Sequence, residues 1–309
     1  MTNQHGGNAR AKAASPTEAR APLVRTARLS GPSLALDRRI HAVREDLADI
    51  ALADRVVAPH FAASVPTALV VPHATIRGRP DPNASATSEL LFGEAFHVFE
   101  FGGRWAWGQC AHDGYVGYVD ASLLTHDAPA PTHRIAAPQG LVFAEADIKS
   151  PVLSVLPLGA QVAVTASEGA FHALATGGFV HDRHVGGLTP ASGDPVAVAM
   201  SFIGTPYRWG GRTRAGIDCS GLVQQALMAC GIACPRDSDQ QREGLGTRVE
   251  ASGLRRGDLV YFPGHVGIMA DATNLLHANA HWMATVIEPL ADVVARVTAE
   301  TPILAIKRI

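Results

Sequence analysis

Apolar positions are spaced in three different ways along the chain, and each spacing predicts a different kind of element. Residues 1–36 carry Ala, Arg, Thr, Ser and Pro with no apolar period, so a disordered tail is expected there. Over 37–65, Ile40, Val43, Leu47, Ile50 and Leu52 recur near a helical spacing behind Asp37, a capping residue, and predict an N-terminal helical segment. From 66 to 190 short β-rich runs alternate with Gly, Pro, Asp and Asn. A third texture starts at 194. Asp194 and Pro195 open an apolar helical run that ends at Gly204, with Pro206 beyond it. A second helix is predicted over 220–229, then strands over 258–262, 265–270, 274–280 and 284–288, a helix over 291–297 and a strand over 303–309. Helices first and an antiparallel run of strands afterwards make an α+β plan.

The β-rich stretch echoes itself. Gly93-Glu-Ala-Phe-His-Val-Phe-Glu-Phe101 runs on to Trp105-Ala-Trp107 and Gly114-Tyr-Val-Gly-Tyr-Val119. Gly159-Ala-Gln-Val-Ala-Val164 likewise runs on to Phe171-His-Ala-Leu174 and Gly178-Phe-Val-His181. A repeat of roughly 55–60 residues predicts two small all-β barrels in tandem rather than a solenoid. Their expected limits are 66–127 and 132–190, with Ala128-Pro-Ala-Pro131 between them, and the α+β domain follows at 194–309.

Composition narrows the partners. Of 309 residues, 47% are hydrophobic and 17% charged, which suits folded cores. Lys+Arg minus Asp+Glu is 26 − 28 = −2, and aromatics are only 6%, so neither nucleic acid nor a membrane surface is an expected partner. Cys110, Cys219, Cys230 and Cys234 form no CxxC pair and no disulfide framework. With no apolar signal core among the first 22 residues and no run of about 20 apolar residues, a reducing, cytoplasmic setting is expected. No Walker loop, dinucleotide fingerprint or HExxH occurs, so neither cofactor nor metal is expected.

The chemistry concentrates after residue 204. In Gly216-Ile-Asp218-Cys219-Ser220-Gly221 a Gly-rich loop turns into the helix bearing Leu222, Val223, Ala226 and Leu227. That puts Cys219 at a helix N-terminus, where partial positive charge favours the thiolate and hence a nucleophile. Cys110, Cys230 and Cys234 have no such setting and read as structural. A base and an orienting group are then needed. His265 starts one predicted strand and His277 lies in the next, so hairpin pairing can bring the two rings together, with His281 a rival for the second role.

The motifs Pro206-Tyr-x-Trp-Gly-Gly211, Asp218-Cys-Ser-Gly221, Gly257-Asp-Leu-Val-Tyr-Phe262, His265-Val-Gly-Ile268 and Leu276-His-Ala278 occur in that order. Through them the segment from Asp194 onward resembles the NlpC/p-sixty cysteine peptidases, papain-like enzymes that cleave peptidoglycan peptides. The two β modules resemble the bacterial SH3-like modules of cell-wall enzymes. The resemblance implies Cys219 as nucleophile, His265 as general base and acid, and His277 as the orienting residue. Met269 stands where a Tyr is common, a position given no chemical role. Two SH3-like modules ahead of the peptidase further resemble γ-D-glutamyl-L-diamino acid endopeptidases, which process murein peptides with a free N-terminal L-Ala. This implies that Asp218, Ser220 and Ser238 hold the L-Ala-γ-D-Glu portion and that Tyr207 and Trp209 line the site, Asp218 accepting the ammonium. It also implies a cap from the first module, with Tyr115 (or Tyr118) as the tyrosine and Glu89 or Glu94 as the carboxylate. Arg208 and Arg212 are read as solvated. The expected substrate is L-Ala-γ-D-Glu followed by meso-diaminopimelate or L-Lys, in wall-peptide recycling. A secreted hydrolase of the intact sacculus, a non-catalytic wall-binding protein and an acyltransferase are the alternatives.

Overall fold

Alternating burial shapes the first β module: in the strand His73–Arg77, Ala74 and Ile76 point inward and their neighbours stay half-exposed. The computed structural model describes residues 36–189, 193–297 and 302–309; the expected tail falls almost entirely outside them. Seven antiparallel strands between Val65 and Thr125 form the first module, around Leu69, Ile76, Leu90, Phe96, Val98 and Val119. A three-stranded and a five-stranded sheet between His133 and Gly187 form the second, around Ile135, Val142, Leu156 and Val180. Phe92 of the first module packs into that second core, and its carbonyl accepts the Gln161 N–H at 2.8 Å. Gly93 makes this approach possible, since its φ is +73° and a Cβ there would lie 2.1 Å from the Gln161 carbonyl oxygen.

The C-terminal domain contains helices α1 (Pro195–Met200), α2 (Cys219–Ala229), α3 (Ser238–Gly244) and α4 (Leu290–Arg296). Its antiparallel sheet has strands β1 (Thr247–Arg248), β2 (Leu259–Phe262), β3 (His265–Met269), β4 (Asn274–Asn279), β5 (Ala284–Pro289) and β6 (Ala305–Arg308), in the order β1-β6-β2-β3-β4-β5. On one face Leu222, Val223 and Ala226 of α2 pack on Val266, Ile268 and Leu276. On the other, Leu290 and Val293 of α4 pack on Val260, Met269 and Leu275. The fold is α+β, as the element order predicts. Among the described residues no helix is long and apolar enough to cross a membrane.

The helical segment expected over 37–65 does not form. Asp37 to Ile40 is a turn, Leu47–Asp49 pairs in parallel with His60–Ala62, and only Ile50–Leu52 makes a single 3-10 turn. Tertiary contacts override the periodicity. The Arg39 carbonyl accepts the Val116 N–H, and the Ile40 carbonyl accepts from the Gln109 side chain, so the backbone is committed to the first module. Ala42 and Leu47 pack on Phe99 and Trp107, while Ile50 faces solvent. The segment is a strap across the first module.

The first module and the C-terminal domain are joined by buried charge. Arg212 is fully buried, its guanidinium donating to both Glu94 carboxylate oxygens at 2.9 and 3.0 Å and to the Glu89 carbonyl at 2.7 Å. The Glu89 carboxylate accepts the Arg212 N–H at 2.7 Å and Arg208 at 2.8 Å, with His73 at 3.0 Å. Burial would raise the Glu89 carboxyl, but His73, the Arg212 N–H and Arg208 together hold it below its ordinary value. Arg212 is thus buried and clamped, not solvated as the sequence suggests, while Arg208 pairs with Glu89 and keeps a side chain that is 38% exposed.

Candidate active site

Asp218 terminates the loop before α2 and caps the helix, its Oδ1 accepting the Gly221 N–H at 2.7 Å. Its Oδ2 accepts the Gly210 N–H at 2.8 Å, and buried Arg236 donates to both oxygens at 3.0 and 2.6 Å. Arg236 also reaches Ser220 Oγ (2.9 Å) and Ser88 Oγ of the first module (3.1 Å). The loop beneath is tight: a Cβ on Gly221 would lie 2.3 Å from the Gly211 carbonyl oxygen. Cys219 is therefore held at the first position of α2 by a network that exhausts the Asp218 carboxylate.

Cys219 opens into a cavity of about 260 Å³ shared by three parts of the chain. The C-terminal domain contributes Tyr207, Trp209, Ser220 and, from the start of α3, Asp237, Ser238 and Asp239; the first module contributes Thr87 and Tyr115; the strap contributes Arg39. Among the described residues the second module lines none of it. Tyr115 donates its hydroxyl to Asp237 Oδ2 at 3.2 Å, and Arg39 donates to Asp237 at 2.9 Å and to Asp239 at 2.9 and 2.7 Å. Arg39 also pairs with Asp37, whose carboxyl it holds down at about 2. Burial raises the Asp237 carboxyl, with Arg236 and Arg39 acting against it.

His265 is the first residue of β3, and the N–H of the next residue, Val266, favours a negative Cys219 sulfur. His265 Nε2 and His277 Nδ1 are 2.7 Å apart. The pairing of Ile268 with Leu276 sets this diagonal contact. His281 is exposed and packs edge-on against Trp282, so it does not take the orienting position. Burial of Cys219, reinforced by the Asp218 charge, pushes its thiol up to about 12, and burial pushes His265 down to about 3. Desolvation therefore outweighs the helix N-terminus and favours the thiol and the neutral imidazole, contrary to the thiolate that chain position alone suggests. Cys219 alkylation by iodoacetamide should rise about tenfold per pH unit between pH 6 and 9. A plateau beginning below pH 5 would instead mean a preformed thiolate–imidazolium pair.

The cavity thus brings together Cys219, Tyr207, Trp209, Asp218, Ser220, Ser238 and Tyr115 among the residues expected from sequence. It does not include Glu89 or Glu94, which the inter-domain clamp consumes, nor Tyr118, which meets Arg44 at 3.3 Å. Asp218 is equally unsuited to take an ammonium, because Arg236 already neutralises it. Arg39, Arg236, Asp237 and Asp239 were not singled out by sequence reasoning, although Arg236 and Asp237 stand beside Ser238 in Pro235-Arg-Asp-Ser238. Cys110, His112 and Asp113 bring their ligand atoms within 4.8 Å of one another outside the cavity, and Asp113 is already engaged by Gln224 and the Tyr115 N–H.

A cysteine at a helix N-terminus and a histidine pair on the antiparallel sheet packed against that helix are the groups a cysteine peptidase needs. Residues 204–293 match the NlpC/P60 family, and residues 76–124 match the bacterial dipeptidyl-peptidase Sh3 domain. The chain carries an NlpC/P60 domain preceded by a bacterial SH3 domain. It is 41% identical over 85 residues to dipeptidyl-peptidase 6 of Lysinibacillus sphaericus, covering 27% of this chain and 31% of that protein. It is 28% identical over 218 residues to a gamma-D-glutamyl-L-lysine dipeptidyl-peptidase of Bacillus subtilis, covering 62% of this chain and 71% of that protein. The chain thus spans about a third of the first of these relatives. The fold is shared with the crystal structure of an NlpC/P60 family protein from Bacillus cereus, at TM-score 0.67 and 18% identity, over 79% of this chain and 99% of that one.

Proposed function

We propose that the protein is a cysteine endopeptidase that cleaves between the γ-carboxyl of D-Glu and the following diamino acid in murein peptides with a free N-terminal L-Ala, in wall-peptide recycling in the cytoplasm. The observation that carries this reading is the acidic end of the cavity, where Asp237, Tyr115 and Asp239 converge. Three carboxylates, Asp237 and Asp239 in the cavity and Asp37 beside it, share the one Arg39 guanidinium, which leaves net negative charge for a substrate ammonium. An ammonium would also offset the burial that raises the Asp237 carboxyl. An acylated L-Ala carries no such charge and would leave the negative charge at that half-buried end uncompensated.

In this reading Cys219 Sγ attacks the γ-carbonyl carbon as its proton passes to His265, and the Cys219 N–H holds the oxyanion. The C–N bond breaks as His265 returns that proton to the leaving amine, giving a thioester. Water then adds, its proton again taken by His265, and the C–S bond breaks to release the γ-carboxyl and the thiol. Ser238, with Ser220 behind it, offers a hydroxyl to the D-Glu α-carboxylate.

The test is a mass-spectrometric digest of L-Ala-γ-D-Glu-meso-diaminopimelate, its L-Lys counterpart and their N-acetylated twins. Cleavage of the free-amine peptides alone is the expected result. Equal cleavage of both would remove the ammonium cap and point to the intact sacculus, and no cleavage would favour acyl transfer or a wall-binding role. Asp237→Asn is expected to raise KM for the free-amine peptide by about ten- to a hundredfold, the range of a charge-assisted hydrogen bond, with smaller change in kcat.

A further inference from the structure

We propose that Glu288 is the positioning residue that decides which nitrogen of His265 carries the proton, in competition with Asn279. His277 Nε2 lies 2.8 Å from Glu288 Oε1, while its Nδ1 faces His265 Nε2 at 2.7 Å. Pairing of His277 with Val286 across β4 and β5 puts Glu288, two residues on, on the same face. The Glu288 side chain is only 10% exposed and is fixed from two other sides, by Arg296 of α4 and by Trp282 Nε1 at 3.2 Å from Oε2.

The proton order follows from what each atom can do. A carboxylate only accepts, so His277 Nε2 must carry a hydrogen. His277 Nδ1 is then an acceptor, and His265 Nε2 must be the donor facing it. That leaves His265 Nδ1 with the free lone pair, the form in which it can take the Cys219 proton. Asn279 Nδ2 stands 3.1 Å from the same His277 Nε2. Its amide oxygen is committed to the Trp282 N–H at 2.9 Å, so it offers that nitrogen a donor. Donation needs a bare nitrogen and imposes the opposite tautomer. Glu288 wins this contest in the native protein. Without it, Asn279 would hold His277 as the Nδ1–H form, His277 would donate to His265 Nε2, and the His265 proton would sit on Nδ1. The base would be lost with no catalytic atom removed.

The experiment is long-range 1H–15N NMR of the histidine rings, with kinetics, on the full chain and its Glu288→Ala, Glu288→Gln and Glu288→Ala/Asn279→Ala variants. Both His265 and His277 should be Nε2–H tautomers in the wild type and Nδ1–H in Glu288→Ala. In Glu288→Ala, kcat should fall by about a hundredfold or more, the direction seen when a triad histidine is held in the wrong tautomer, with KM changed less than about twofold. Removing Asn279 as well should recover part of kcat, and Glu288→Gln, which can still present a carbonyl, should lose less than Glu288→Ala. A wild-type His277 in the Nδ1–H form would overturn the proposal even if the variants fail to fold. So would a folded Glu288→Ala with unchanged tautomers or kcat. The kinetic arm rests on the peptidase reading. A wild type that cuts no murein peptide would overturn that reading, leaving the ring tautomers to decide this one.

Discussion

Cys219→Ala is expected to abolish release of the diamino acid, with a loss of at least about 10⁴-fold in kcat/KM, while the protein stays folded. In the proposed reaction the sulfur is the group that bonds to the γ-carbonyl, and alanine at the first position of α2 leaves the Asp218 cap, the Arg236 pair and the Gly221 contact in place. His265→Ala should lose a comparable amount. The double variant should be little worse than either single one, because thiol and imidazole act as one unit. Peptide turnover by mass spectrometry, beside thermal unfolding of each variant, checks this. Substantial turnover by folded Cys219→Ala would remove covalent catalysis from the account.

Arg212→Ala should destabilise the protein by about 3–5 kcal/mol, the usual cost of leaving one buried partner without the other. Its guanidinium is inaccessible to solvent and Glu94 nearly so, and the contact joins the first module to the loop just before Cys219. Removing the cation leaves the Glu94 carboxylate stranded in that junction. Urea unfolding should show a lower midpoint, and activity should fall with it, because Thr87 and Tyr115 reach the cavity only while the module is docked. Arg212→Met combined with Glu94→Leu removes both charges and should recover most of the stability. If Arg212→Ala unfolds at the wild-type midpoint, the clamp contributes nothing and docking rests on apolar contacts.

Local pattern made much of the C-terminal domain legible. Asp194-Pro195 starts α1 as expected, α2 runs from Cys219 to Ala229, and β2 to β5 fall within a residue or two of the apolar runs that predict them. These elements are short-range: caps, turn residues and alternation act within a few positions. The strap shows the limit of that rule. Its apolar spacing is helical, yet Ala42 and Leu47 are used by Phe99 and Trp107 of another element, and burial there outweighs propensity.

The sequence by itself placed Cys219 at the start of a helix, His265 and His277 on adjoining strands, and β-rich modules ahead of an α+β domain, because motif spacing and helix capping are local properties of the chain. Only the tertiary structure decided that Glu89 and Glu94 clamp arginines instead of facing substrate, that Arg39 reaches Asp237 and Asp239 from about 200 residues away, and that Glu288 stands behind His277. Those pairings depend on strand register and domain docking, and a charged residue looks the same in one sequence whether it ends in solvent, in a clamp or against a histidine ring.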